Sequence, residues 1–208
     1  MSSTSKILLV LVGIVLVVGI AGISSYNGLV SLQQATNSQW AQVENVYQRR
    51  ADLVPNLVST VSGAANFEKS TLLAVTQARA SVGKLTLPPG GAPTDPSQIA
   101  AFEKAQGDLG SALSRLLVVS ERYPDLKATA GFRDLQAQLE GTENRISVER
   151  GRFNEAVQAY DTRIRTFPAV IIAGLGGFTA RPYFTATAGA EVPPKVQFDF
   201  NSPAPSKP

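Results

Sequence analysis

Residues 7 to 23 read ILLVLVGIVLVVGIAGI, an unbroken uncharged apolar run of 17 residues. As a helix rising about 1.5 Å per residue it covers roughly 25 Å, close to the hydrocarbon thickness of a bilayer. A run of this kind has two uses, a membrane anchor or the core of a cleaved signal peptide. The anchor is preferred. The run is longer than a usual signal core, no convincing A-x-A-like site follows it, and a helical pattern continues directly from Tyr26. Lys6 precedes the run, whereas the first basic residue after it is Arg49. The charge rule for membrane proteins then places the N-terminus in the cytoplasm and residues 26–208 outside.

Composition narrows the chemistry left to the rest of the chain. Nineteen Lys and Arg against sixteen Asp and Glu leave a net charge of only +3, with no electrostatic footprint for nucleic acid. Histidine and cysteine are absent. That removes imidazole bases, thiolate nucleophiles, disulfides, acylated cysteines and the usual zinc ligands together. The remaining tools are carboxylate pairs, Ser with Lys, and Tyr. Glu140, Glu143, Glu149 and Asp161 share one predicted helix, but a di-metal site needs facing helices and a histidine in each half. No catalytic residue, cofactor or metal is assigned.

Apolar residues recur at three- and four-residue spacing through most of the chain. From Tyr26 one track runs through Leu29, Thr36, Trp40, Val43, Tyr47, Arg50, Val54, Leu57 and Val61. A break is expected at Ser62-Gly63, and Phe67, Leu72, Val75, Ala78 and Val82 continue either a second helix or the bent remainder of the first. TLPPGGAPTD at 86–95 reads as a loop ending in an Asp95 N-cap before Pro96. Ile99, Phe102, Leu109, Leu113 and Leu116 mark a third segment, stopped near Pro124. The fourth carries Phe132, Leu135, Leu139, Thr142, Ile146, Glu149, Phe153, Val157, Tyr160, Ile164 and Phe167, and ends at Pro168.

Burying these stripes calls for an all-α fold: a transmembrane helix, an antiparallel four-helix bundle and an irregular C-terminal tail. The expected divisions are a short tail 1–6, an anchor 7–25, a bundle 26–167, a tail packed on it 168–200 and a disordered end 201–208. If the four segments alternate in direction, the last returns FPAVIIAGLGGF, residues 167–178, toward the bilayer. That piece is too short to span. Phe167, Val170, Ile171, Ile172, Leu175 and Phe178 then either touch the membrane interface or cover the open end of the bundle, with covering preferred.

RRADLVPNLV at 49–58 sets charge and a helix breaker side by side. Arg50 falls on the apolar seam, where an unpaired guanidinium is costly. One reading is a polar layer with Arg50 bridged to Glu143 or Glu149 and Asn144 alongside. The other is that Arg50 snorkels to solvent. Pro55 cannot donate to the Ala51 carbonyl, so the helix either kinks there or restarts with Asp52 as its cap. In both cases Asp52 and Pro55 mark a bend.

Several stretches carry a resemblance in their order and spacing. These are YNGLV at 26–30, RRADLVPNLV at 49–58, SERYPDLKA at 120–128, LEGTENRISVERGRFNEAVQAYD at 139–161, FP at 167–168, and RPYF and PPKVQF near the end. Together they resemble the LemA family over Tyr26 to Phe198. The GGAPTDPSQ loop and the extension after Phe198 depart from the usual pattern. The resemblance implies one N-terminal anchor, a four-helix bundle and a place in the bacterial envelope. It also implies company with membrane metalloproteases, membrane-stress functions and, in some bacteria, magnetosome-associated proteins. It supplies no reaction. The expected role is a noncatalytic, single-pass scaffold or adaptor of the cytoplasmic membrane that binds other membrane proteins or copies of itself. The alternatives are membrane remodelling through residues 167–178 and, last, an enzyme without His or Cys.

Overall fold

The computed structural model describes residues 3–63, 67–85 and 91–185, and every regular element among them is helical. The expectations for 186–200 and 201–208 and for the loop residues 86–90 lie outside the described residues. Six helices follow in order: α1 Ser3–Ser62, α2 Lys69–Gly83, α3 Pro96–Ser120, α4 Pro124–Ala128, α5 Ala130–Arg165 and α6 Ala169–Gly176.

α1 is a single helix of 60 residues, about 90 Å long by its rise per residue. Its first third, including Ile7, Val15 and Ile20, is exposed apolar surface, while the remainder buries a stripe from Leu29 to Val61. One helix therefore carries two kinds of surface, an exposed apolar third and a buried stripe, with no linker between them. The partner of its buried stripe is α5. Thr36 Oγ1 lies 3.4 Å from the Ala156 carbonyl, Trp40 meets Phe153, and Arg50 meets Glu143. Positions rise along one helix as they fall along the other, so the two run antiparallel. α2 and α3 pack on each other and complete the far half of the core.

The core falls into three clusters along α1. Nearest the apolar end, Leu29 packs with Tyr160, Ile164, Ala169 and Ala173. Next is an aromatic cluster in which Trp40, Phe102, Phe153 and Phe184 meet at ring-centroid distances of 5.3 to 6.3 Å. Farthest out, Leu53 to Val61 of α1 pack with Val75, Leu109, Leu113, Leu116, Phe132 and Leu139.

Several boundaries differ from expectation. Tyr26 is off the seam and Ser25 is buried instead; Tyr26 turns its ring edge-on to Phe178 at 5.6 Å. Phe167 is not a seam residue of α5, because the helix stops at Arg165 and Phe167 is 79% exposed. Pro168 explains this, since its ring disfavours helical backbone for the residue before it. Ser62 and Lys69 bound two separate helices, not one bent helix. The proline at 124 stops α3 and also opens α4, where its missing N–H is harmless. Asp95 caps α3, its carboxylate accepting from the Ser97 N–H at 2.8 Å.

Asp52 does not restart α1. It accepts from Gln48 Nε2 one turn back, and the helix continues through Pro55. The carbonyl freed by Pro55, that of Ala51, is instead satisfied from α2: Arg79 Nε donates to it at 3.0 Å. A break in one helix has become a contact with the next.

After α6, residues 178–185 run as an extended strap along α5. Asp161 accepts from the Arg181 N–H, and the Asn154 amide donates to the Phe184 carbonyl and accepts from the Phe184 N–H, both at 2.9 Å. Arg181 reaches across to the Ala92 carbonyl at 2.7 Å, tying the strap to the segment before α3. Phe184→Ala, which empties the middle of the aromatic cluster, is expected to lower stability by about 3–5 kcal/mol in thermal unfolding of the full chain in detergent. Arg79→Met is expected to cost about 1 kcal/mol in the native background. It should cost measurably less after Pro55→Ala, because the backbone N–H restored at that position then donates to the same carbonyl.

Candidate functional site

Between the aromatic cluster and the far cluster lies a polar layer built from three helices. α1 supplies Arg50 because the three-and-four spacing that carries Tyr47 and Val54 inward carries position 50 with them. The residue is only 3% exposed, so its charge needs partners. One Nη donates to Glu143 Oε1 of α5 at 2.7 Å, and the other donates to both the backbone carbonyl and the side-chain oxygen of Gln106 on α3. The Tyr47 ring lies 5.1 Å from the guanidinium carbon, a cation–π distance. The Nε has no hydrogen-bond partner among the described residues.

Of the residues expected in this layer, Glu143 reaches Arg50. Glu149 does not: it accepts from Arg152 at 2.9 Å on its own helix. Asn144 lines a smaller hollow farther along, with Leu139 and Glu140. The snorkelling alternative for Arg50 is excluded by its burial. Gln106 is absent from the layer expected above, although its signal is in the sequence: it fills the gap between Phe102 and Leu109 on the apolar stripe of α3. Arg150 supports the layer from one side through Glu103 and through the Thr185 carbonyl of the strap. Burial pushes the Tyr47 phenol above its ordinary value, partly offset by the Arg150 and Arg50 charges.

Over this layer opens a groove of about 900 Å³ between α3 and α5. Its α3 wall includes the small residues Gly107, Gly110, Ser111 and Ser114 beside the longer Glu103, Lys104, Gln106 and Asp108. At Gly110 a Cβ would sit 3.5 Å from Arg50 Nη1, an ordinary contact, which places this point of the wall directly over the guanidinium. Arg50, Lys104 and Arg150 are matched around the groove by Glu103, Asp108 and Glu143. Equal numbers of opposite charges give no net attraction for an anion. Among the described residues no three acidic side chains gather as a metal site would require. The groove suits a surface with mixed polarity and close backbone approach better than a small charged ligand.

The remaining candidates cluster at the other end. α6 places Ala169 and Ala173 in the core beside Leu29, with Ile172 and Phe178 half-buried against them. Val170, Ile171 and Leu175 point outward with Phe167.

Replacing Glu143 by Leu leaves the Arg50 charge without its carboxylate and is expected to cost about 2–4 kcal/mol. Adding Arg50→Met should return part of that loss. Denaturant titration of both single variants and the double variant would then show a coupling of about 1–3 kcal/mol. Additive losses would mean that the pair does not act as one unit.

Comparison with known proteins places this architecture. Three relatives are magnetosome proteins: MamQ 1 and MamQ 2 of Paramagnetospirillum magneticum and MamQ of Magnetospirillum gryphiswaldense. Each is 26% identical over 190 aligned residues, which cover 81% of this chain and 67% of the relative. The family model described as LemA family matches residues 39–198, which take in the buried stripe of α1 from Trp40 onward, the polar layer, α6 and the strap. With that much of its length matched, the chain belongs to the LemA family.

Proposed function

We propose that this chain is a noncatalytic scaffold or adaptor, held in a bacterial cytoplasmic membrane by the first part of α1 with residues 26–208 outside. In this reading α1, α2, α3 and α5 act together as a four-helix bundle that presents a binding surface to other membrane proteins or to a second copy. The observation that carries it is the continuity of α1, whose exposed apolar third passes into the buried stripe with no loop between them. A rigid post is what presentation at a fixed height needs. From Tyr26 to Ser62 the helix rises roughly 55 Å at 1.5 Å per residue, enough to hold the far end well clear of lipid headgroups. The magnetosome relatives are in keeping with membrane-associated work, and the site chemistry favours contact over turnover.

The groove between α3 and α5 is the surface assigned to the partner. The small residues from Gly110 to Ser114 allow a helix or extended chain to approach closely at that end of the wall, and the balanced charges favour a polar protein surface. A photoreactive residue at Ser111 or Ser114, crosslinked in intact cells, should yield one dominant adduct with a membrane protein or with the chain itself. The same residue at Thr76, on the exposed face of α2, should not. Equal adducts from all three positions, or none from the groove, would remove the adaptor reading.

A further inference from the structure

We infer that the outward face of α6 is a lipid-contacting surface, lying in the bilayer interface beside the point where α1 leaves the membrane. This rests on the anchoring role proposed for the first part of α1. α6 is two-faced. Ala169, Ile172 and Ala173 turn toward Leu29, Tyr160 and Ile164, while Val170, Ile171 and Leu175 occupy the opposite side. Leu175 is 84% exposed and Ile171 54%, and Phe167 extends the same apolar surface just before the helix. A water-facing side of a helix ordinarily carries charge. From Phe167 to Ala180 there is none.

The position of this face names its occupant. α6 packs against α1 where the apolar run ends: Ile172 Cδ1 would lie 3.8 Å from a Cβ at Gly22, and Phe178 meets the ring of Tyr26. Gly22 belongs to the last turns of the span and Tyr26 follows it. The exposed side of α6 is therefore continuous with the apolar surface of α1 and at the level of its exit. Arg163 and Arg165 come just before the apolar stretch, and the next basic residue, Arg181, is turned inward to the Ala92 carbonyl. Apolar side chains with exposed arginine on their N-terminal side suit an interfacial helix whose apolar side lies in the acyl boundary and whose cations lie among headgroups. The length of α6, eight residues, suits lying in the interface and not crossing it.

The chain has no cysteine, so single thiols can be placed without removing any. Full-length protein with Ile171→Cys or Leu175→Cys is labelled with the environment-sensitive fluorophore NBD and reconstituted at one chain per phosphatidylcholine nanodisc. Val15→Cys, within the span, and Asp125→Cys, on exposed α4, serve as the lipid and water references. Circular dichroism melting checks that each labelled chain folds as the unsubstituted one does. If labelling disturbs α6, Val170→Cys takes the place of Ile171→Cys.

The expected result is that labels at 171 and 175 emit to the blue of the label at 125. They should be quenched by doxyl-labelled lipid and protected from aqueous iodide. Iodide quenching at 171 and 175 equal to that at 125, with lipid quenching retained at 15, would overturn the lipid contact and leave the anchor standing. Loss of lipid quenching at 15 as well would overturn both. Protection that appears only when two chains share a disc would make the occupant a second copy and overturn the lipid contact.

Discussion

The seam between α1 and α5 is the constraint on which the other contacts depend. A helix as long as α1 cannot fold back on itself, so its stripe from Leu29 to Val61 must be covered by other elements. α5, with 36 residues, is the only other described helix long enough to cover most of it. Once the two are antiparallel, α5 must end near the apolar third of α1. The residues that follow are delivered to that end as α6, and the chain then turns back along α5 as the strap. α2 and α3 fill the side that α5 leaves open in the far half. Placement of the late elements thus follows from the one pairing of α1 with α5.

Apolar stripes alone fix such a pairing poorly, because a slide by one helical turn replaces one set of aliphatic contacts with another of similar value. The Arg50–Gln106–Glu143 layer penalises the slide. It lies between two apolar clusters, and displacement in either direction would carry a guanidinium into hydrocarbon without its acceptors. Its net contribution to stability is small by the usual balance of desolvation and attraction, and the role we propose for it is to favour one alignment. The carbonyl at Ala51 acts in the same direction. Its bond from Arg79 holds α2 at one height on α1.

Periodicity made much of this readable in the sequence. The track from Thr36 to Val61 is the buried stripe of α1, and the lone arginine on it was visible for the same reason. What periodicity cannot reach is rotation and reach. Glu143 and Glu149 are six residues apart and so about 120° apart around α5; only the actual rotation of that helix decides which one faces Arg50. Arg79 meets Ala51 through a long side chain whose origin lies on an exposed face, so its spacing carries no signal. The strap is the least legible part. Its anchors at Asp161, Asn154 and Arg181 are pairings of side chains with irregular backbone, and neither a helix period nor a strand period marks them. Boundaries set by proline were mostly readable, and Phe167 shows the limit, since Pro168 acts on the residue before it.

In the anchored reading proposed above, the unbroken course of α1 from its apolar third to its buried stripe has a geometric consequence. A helix turns about 100° per residue, and no loop is present to absorb a change of phase. The azimuth at which α3, α5 and their groove face across the membrane plane is therefore locked to whichever side of the apolar third meets neighbouring lipid or protein. Adding one residue within the first five turns would leave the core and α6 untouched yet swing them together through more than a quarter of a circle about the membrane normal. In such a molecule the anchor acts as a compass as well as a tether.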